Sequence, residues 1–272
     1  QYLICLKGLA TLNMGTSLHN KLPVAQEIGT RLMATLELTL VAVIIFVMLA
    51  ILLGSVSAAK RNTPLDSGIR ILAIFNMSVP PYWLALILQL VLYYKLKIFP
   101  VGYRLPVGMA APSNITGLYI LDSLLTGNWT TLWASMKCIF LPAMSLVMGT
   151  CGLTTRLMRT QLLQEMQQDY VRTARKKGLG ESVVTRRHVM KNAISPVMTM
   201  IGMQIGSMIG GTVLIEKIFC WPGVGNYAVS VIQDLDITVI AGIALVMSVV
   251  YVMINFIVDV LYVIIDPRVR IA

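Results

Sequence analysis

Long runs of apolar residues alternate along the chain with short polar segments. Each run is long enough to form a membrane-spanning helix, which needs about 20 mainly apolar residues to cross an apolar layer of about 30 Å. The runs cover residues 35–59, 69–94, 136–158, 193–215 and 237–265. This pattern predicts an all-α, polytopic membrane protein with five spans in this chain.

The second run contains Pro80 and Pro81 near its middle. Proline lacks a backbone N–H donor and obstructs the preceding helical turn. We therefore expect this span to be kinked or broken there. The freed carbonyl groups would face protein or a polar cavity, because lipid offers them no hydrogen-bond donor.

Two segments are predicted to lie outside the membrane. Residues 1–34 form a mixed, moderately polar lead-in, and residues 95–135 form a connection rich in Gly, Pro, Asn and Thr. Within this insertion, the apolar stretch 117–125 predicts one short helix, and Trp129 and Trp133 are candidate interfacial anchors. Residues 35–272 then make up the membrane domain.

The composition supports a membrane protein over a soluble one. Hydrophobic residues make up 57% of the chain and charged residues 12%, whereas soluble proteins average about 25% charged residues. The formal net charge is +10, but the basic residues fall between apolar spans. A topological explanation therefore takes precedence over nucleic-acid binding, which we do not expect.

The distribution of charge predicts the orientation of the spans. The loops at 60–70 and 156–191 and the C-terminal tail hold 14 of the 22 Lys and Arg residues. The positive-inside rule places these segments and the C-terminus in the cytoplasm, and residue 1 outside. An external start without a signal peptide indicates one further span before residue 1, which gives a six-span protein with both ends inside.

The segment 169–196 is the only long polar run of the chain that is also strongly basic. A helical composition from residue 160 through residue 177 ends at Gly178, and a second helical run covers 181–191. These features predict two short helices divided by a Gly-Leu-Gly hinge, able to dock into a cleft of a cytoplasmic partner. The alternative is that the basic residues are solvated charges attracted to anionic lipid headgroups.

Several motifs resemble those of a known family. DYVRTARKKGL at 169–179 and RRHVMKNAISPV at 186–197 resemble the EAA motif of permeases from binding-protein-dependent ABC importers, in the version of the dipeptide, oligopeptide and nickel branch. Further similar landmarks occur in family order: GTS at 15–17, RLMATLEL at 31–38, SVPPYWLA at 78–85, GGTVLIEKIFCWPGVG at 210–225 and DPRVR at 266–270. The resemblance thus covers nearly the whole chain.

The resemblance implies a type I ABC importer transmembrane domain in the bacterial cytoplasmic (inner) membrane. Its partners would be a second homologous permease, two ATP-binding subunits and an external substrate-binding protein, and the permease itself would lie in the lipid bilayer. ATP and Mg would bind to the partner subunits. The chain itself contains no P-loop and no nucleophile or metal-protease motif, so we expect no catalytic, cofactor-binding or metal-binding residues in it.

The resemblance also implies that the cytoplasmic loop 159–192 couples the permease to the ATPase subunits. Arg172 and Thr173 replace the glutamate and first alanine of the general motif, which places a glutamate-based contact in doubt. The candidate coupling residues are Asp169, Tyr170, Arg172, Thr173, Ala174, Gly178, Arg186 and Arg187.

Other candidates concern the pathway and the outer surface. Gly202, Gly206 and Gly210 form a smooth stripe that suits close helix packing, either within this subunit or at the pathway and partner interface, for which Pro80 and Pro81 are further candidates. The candidate outer docking surface comprises the insertion and residues 216–236, in which we single out Glu216, Trp221, Pro222 and Gly223. Asp259 in the last span is expected to face the bundle interior in a structural hydrogen bond.

The cargo is the least determined feature. Peptides are favoured, because free nickel needs nitrogen or sulfur ligands and the chain has only two widely separated histidines. Nickel or a metal chelate is the alternative. A different class of hypothesis is a membrane receptor or anchor without transport activity.

Overall fold

The computed structural model describes residues 14–18, 21–100 and 102–265, most of which are helical. The DPRVR landmark at 266–270 lies outside the described residues. Among these described residues, two segments are π-helical, Gln89–Lys95 and Val184–Val189. The α-helices are α1 Val24–Ala59, α2 Pro64–Ser78, α3 Pro81–Leu88, α4 Tyr119–Leu125, α5 Trp129–Glu165, α6 Asp169–Lys176, α7 Glu181–Val183, α8 Met190–Ile218, α9 Val224–Gln233 and α10 Ile237–Ile265.

Four of the helical segments are long and apolar enough to cross a membrane. They are Val24–Ala59, Trp129–Glu165, Val184–Ile218 and Ile237–Val260. The fifth predicted span is a broken pair, Pro64–Ser78 and Pro81–Lys95, which bends by 109°. The prediction of a kinked or broken second span is confirmed, and the break falls at the two prolines.

The long helices extend beyond the predicted apolar runs. Helix α1 begins at Val24, well before residue 35, and α5 covers more than 136–158 at both ends. The first turn of α1 tolerates Glu27 because its carboxylate accepts a hydrogen bond from the Tyr227 hydroxyl in α9. Tertiary partners of this kind, which hydropathy does not register, explain the difference.

The residue contacts divide the chain into two compact units. The first unit comprises Gln1–Ala42, Pro81–Leu146 and Met208–Met253, and the second comprises Val43–Pro80, Val147–Ser207 and Ile254–Ala272. Helices α1, α5, α8 and α10 each contribute residues to both units.

The core of the first unit joins three helices near their starts. Its buried apolar side chains come from the segment before α1, the first turns of α1, helix α9 and the start of α10: Met14, Val24, Ile28, Val224, Val231, Val239 and Ile243. Asp236 Oδ2 accepts hydrogen bonds from Ser17 Oγ at 2.8 Å and from the Leu18 N–H at 2.7 Å. The described part of the lead-in is therefore tied to the beginning of α10.

A buried ion pair fastens the insertion to α1 within the same unit. Arg104 donates from Nε and Nη2 to Glu37 Oε2 at 3.0 and 2.6 Å. The other carboxylate oxygen of Glu37 accepts the Ile120 N–H at 2.8 Å. The Arg104 guanidinium also stacks 3.5 Å from the centre of the Tyr119 ring. These contacts confirm the predicted short helix, α4, and explain its position.

Asp122 organises the turn that leads into α4. Its carboxylate accepts hydrogen bonds from the Thr116 N–H and hydroxyl, at 2.8 and 2.6 Å, and from the Gly117 N–H at 3.0 Å. Burial alone raises the pKa of Asp122, but these bonds and one from Ile115 outweigh it, so the pKa lies below its ordinary value. The turn is therefore built around an ionised carboxylate.

We expect Asp122→Asn to loosen this turn at pH 7 but not at strongly acidic pH. A group whose pKa is depressed by folding stabilises the fold above its unfolded pKa of about 3.9, and the contribution is lost as pH falls through the folded value. Hydrogen exchange at Thr116 and Gly117 should be faster in the variant at pH 7. The difference should shrink below about pH 4; a difference that persists unchanged there would contradict the assignment.

The second unit depends on a carboxylate between α1, α2 and α5. Asp66 is fully buried and accepts two parallel hydrogen bonds from Arg159 Nε and Nη2, both at 2.8 Å. Ser57 Oγ donates to Oδ1 at 2.5 Å, and the Asn62 N–H donates to Oδ2 at 3.1 Å. Thr63 caps the N-terminus of α2, and Pro64 occupies its first turn, as expected for a helix start.

Arg159→Gln should destabilise the protein by roughly 3 kcal/mol, because it leaves the buried Asp66 carboxylate without its cation. The thermal unfolding midpoint in lipid-free detergent measures the effect. Arg61→Gln, at an exposed position of the neighbouring loop, is the matched control and should leave the midpoint nearly unchanged. Equal midpoints for the two variants would show that the pair contributes little.

Candidate functional site

The predicted coupling loop, in the second unit, has a different helix pattern from the one expected. Residues 160–165 are the last turns of α5, and a turn at 166–168 separates them from α6. The expectation of one continuous helix from 160 to 177 is therefore wrong. The second predicted helix exists, but α7 and the π segment Val184–Val189 continue directly into α8. Only α6 is a free-standing helix.

Gly178 ends α6 as predicted. Its φ of +78° is in the left-handed region, which glycine adopts without the steric cost that a Cβ brings. The Gly178 N–H donates to Arg175 O at 2.9 Å and the Leu179 N–H to Ala174 O at 3.4 Å. A Cβ at Gly178 would meet no atom within 4 Å, so the backbone conformation alone requires glycine there.

Helix α6 has one buried face and one exposed basic face. Val171 and Ala174 are buried, one turn apart on the same side of the helix. Of the candidate coupling residues, those exposed at or beyond this helix are Asp169, Tyr170, Arg172, Thr173, Gly178, Arg186 and Arg187. Ala174 is the exception, since it packs inward. The exposed surface suits contact with an acidic partner surface.

Two polar contacts hold α6 at its ends. The Tyr170 hydroxyl donates to Glu165 Oε2 at 2.5 Å, joining α6 to the end of α5. Partial burial raises the pKa of the Tyr170 hydroxyl, and its hydrogen bond to the Glu165 carboxylate raises it further. Across the glycine hinge, Arg175 forms a two-bond ion pair with Glu181, at 2.7 and 3.2 Å.

The candidate outer docking loop is mostly buried. Glu216, Trp221 and Gly223 are inaccessible, and of the four residues singled out only Pro222 is exposed. The prediction that Glu216 and Trp221 contribute to an outer docking surface is therefore wrong. Trp221 instead donates from Nε1 to the Ala34 carbonyl at 2.8 Å, so its ring packs against α1.

Glu216 connects the end of α8 to α1 and α9. Its Oε1 accepts the Thr35 hydroxyl at 2.7 Å and its Oε2 accepts the Asn226 N–H at 3.0 Å. Thr35 Oγ1 in turn accepts the Val224 N–H at 2.9 Å. The Glu216 carboxyl group therefore accepts a hydrogen bond from the first turn of α9 and is linked through Thr35 to the first residue of that helix. Gly223 packs directly against this carboxylate, where a Cβ would not fit.

The three glycines of the predicted stripe have different surroundings. A Cβ at Gly202 would lie 2.8 Å from Val258 Cγ1, so this glycine allows packing against α10 within the chain. Gly206 is buried, whereas Gly210 is exposed and a Cβ there would meet nothing within 4 Å. Packing within the subunit therefore accounts for Gly202. A pathway or interface role for the stripe stays a prediction.

Other predicted positions are exposed. Pro80 and Pro81 lie on the surface at the break between α2 and α3. Asp259 is also exposed, so the expectation that it faces the bundle interior is wrong. Among the described residues, no three His, Cys, Asp or Glu side chains come together as a metal site requires.

Sequence reasoning missed two ion pairs that position these segments, Glu37–Arg104 and Asp66–Arg159. One signal was available, because Glu37 is the sole charged residue of the first apolar run and a lone acid in a span needs a partner. Its partner lies 67 positions away, and no pattern in the sequence identifies it.

Comparison with known proteins assigns the family. A family model described as the binding-protein-dependent transport system inner membrane component matches residues 50–271. The chain belongs to this family. It is therefore a multi-pass inner-membrane permease, a transporter subunit and not itself the catalytic component.

Individual relatives match the permease over almost its whole length. It is 38% identical over 257 residues to the probable D,D-dipeptide transport system permease protein DdpB of Escherichia coli K12, covering 94% of this chain and 76% of the relative. It is 37% identical to the dipeptide transport system permease protein DppB of Alkalihalophilus pseudofirmus, covering 99% and 81%. It is 35% identical to the di/tripeptide transport system permease protein DppB of Pseudomonas aeruginosa, covering 99% and 80%.

Gly223→Ala should destabilise the permease by about 1–3 kcal/mol, because the added methyl group collides with the Glu216 carboxylate. Gly29→Ala in α1 is the control, since a Cβ there meets nothing within 4 Å and alanine favours a helix. Thermal unfolding of both variants measures the difference. A Gly223 variant as stable as the Gly29 variant would show that Glu216 moves aside at no cost.

Proposed function

We propose that this permease moves di- and oligopeptides across the membrane through a pathway formed with a second, homologous permease. The proposal rests on the similarity of this chain to the three relatives described above. They are 35–38% identical over nearly the whole chain, and each is named a dipeptide or di/tripeptide permease. Membership of a transport family leaves no observation in favour of a non-transporting receptor or anchor.

ATP-binding subunits would engage the segment 166–191 from the cytoplasm and bind ATP and Mg²⁺ themselves. Support comes from the exposed basic face of α6, from its attachments at Tyr170 and Arg175, and from the density of basic residues in this loop. The same charge distribution supports a cytoplasmic C-terminus. The buried Val171 and Ala174 would transmit displacement of α6 to the rest of the second unit.

An external substrate-binding protein would dock on exposed parts of the insertion and on Pro222. Glu216 and Trp221 stabilise the segment that contains Pro222, since their hydrogen bonds join it to α1. Arg104 and Glu37 do the same for the insertion. Buried polar contacts therefore stabilise the docking surface, but the residues that form these contacts are not part of it.

The cargo assignment is tested with the complete complex, reconstituted in liposomes with its partner permease and ATPase subunits. We expect ATP-dependent uptake of a labelled dipeptide, competed by unlabelled di- and tripeptides and not by Ni²⁺. A non-hydrolysable ATP analogue serves as the control for leakage. ATP-dependent uptake of nickel or a nickel chelate that peptides do not compete would contradict the peptide assignment.

Gly178→Ala should lower the peptide taken up per ATP hydrolysed by roughly fivefold, the effect of about 1 kcal/mol of left-handed strain at the end of α6. Gly180→Ala is a closely matched control, because Gly180 lies two residues away with a φ of −61° and has equally open surroundings. It should keep normal coupling. Parallel assays of uptake and ATP hydrolysis measure the ratio, and a normal ratio in both variants would remove Gly178 from the coupling site.

A second variant tests the inner face of the same helix. Ala174→Leu places a larger side chain at a buried position, so we expect it to shift α6 outward and to uncouple hydrolysis from uptake. Thr173→Leu, at the adjacent exposed position, should have a weaker effect on the folded loop. Comparing the uptake per ATP hydrolysed in the two variants distinguishes an effect of the buried packing of α6 from an effect of its exposed contacts.

A further inference from the structure

A basic cavity lies within the second unit, bounded by α1, α2 and α5. Its volume is about 400 Å³. Its lining includes three arginines, two threonines and two isoleucines: Arg70, Arg156, Arg159, Thr155, Thr160, Ile69 and Ile74. No acidic residue lines it. The cavity therefore combines a concentrated positive charge with apolar walls.

The three arginines are not equivalent. Asp66 holds the Arg159 guanidinium with two hydrogen bonds. Arg70 and Arg156 are exposed, and neither forms an ion pair within the described part of the chain. Two guanidinium groups without a counterion in one cavity repel each other, and an anion bound between them offsets this repulsion energy. The Asp66–Arg159 pair fixes this side of the cavity, and Arg70 and Arg156 remain able to bind an anion.

The shape of the surroundings indicates which kind of anion fits. Helix α2 carries exposed apolar side chains next to the cavity, including Ile71 and Phe75, which are 69% and 47% exposed. In a bilayer such side chains contact acyl chains. The matching ligand therefore carries a negative headgroup and a hydrocarbon tail on one molecule.

We propose that this cavity binds the phosphate headgroup of an anionic phospholipid. Arginine suits this role, since its planar guanidinium forms paired hydrogen bonds with phosphate oxygens, and the Thr160 hydroxyl lies on the same wall. Basic pockets between membrane helices on the cytoplasmic side are known to bind such headgroups. The assignment to the cytoplasmic leaflet rests on the proposed orientation of the permease. The proposal of a lipid site does not depend on which cargo is transported or on how the ATPase subunits are coupled.

A bound lipid would join three helices that surround the cavity. Arg70 belongs to α2, Arg156 to α5, and Ser57 of α1 completes the wall. A ligand that binds only the folded state stabilises it in proportion to its occupancy. The lipid would thus reinforce the Asp66–Arg159 connection between the same helices.

The test uses the delipidated full complex in neutral detergent, titrated with phosphatidylglycerol and followed by native mass spectrometry and by thermal unfolding. We compare the unmodified complex with the double variant Arg70→Gln/Arg156→Gln. Arg61→Gln is the control, an exposed basic residue of the same loop region that does not line the cavity. Parallel titrations use phosphatidylcholine and inorganic phosphate.

We expect the double variant to bind phosphatidylglycerol about 30-fold more weakly, about fivefold for each charge lost, and the Arg61 variant to bind it normally. Phosphatidylcholine and millimolar phosphate should neither bind comparably nor displace the lipid. Unchanged lipid binding in the double variant, or an equal loss in the Arg61 variant, would overturn the proposal. Displacement by inorganic phosphate would also overturn it, because a free anion would then be sufficient.

Discussion

Buried carboxylates need hydrogen-bond donors at both oxygens, and this requirement positions three segments of the permease that lie far apart in the sequence. Glu37, Asp66 and Glu216 are each buried, and each contacts a segment distant in the sequence. An unpaired charge in such surroundings costs several kcal/mol. The partners Arg104, Arg159 and Thr35 therefore determine where the insertion, the α1–α2 loop and the end of α8 lie.

The elements were largely predictable from sequence, whereas their contacts were not. Hydropathy locates the spans because burial in lipid requires long apolar runs, and Pro80 and Pro81 predict the break because proline cannot continue a regular helix. Gly178 likewise predicts a helix end. The turn at 166–168 was missed, since its Met and Gln residues carry no breaker signal.

The segment around Trp221 illustrates why the candidate site was only partly predicted. Charged, proline- and glycine-rich sequence between two spans is typical of an exposed loop. Here the tryptophan and the carboxylate turn inward, because a backbone carbonyl of α1 and the hydroxyl of Thr35 offer partners. Which side chains stay outside depends on those long-range partners. Of the four residues singled out in this segment, Pro222, with no side-chain donor or acceptor, is the one at the surface.

The Arg175–Glu181 bridge across the glycine hinge has a consequence for how the loop behaves in different solutions. Both side chains are exposed, at 41% and 68%, and their charged atoms lie 2.7 Å apart. The screening length falls from about 10 Å at 0.1 M salt to about 3 Å at 1 M, so it is concentrated salt that weakens their attraction. Exposed pairs contribute at most about 1 kcal/mol. The stiffness of the hinge is therefore tunable by ionic strength, and the orientation of α6 is more variable in concentrated salt than in dilute buffer.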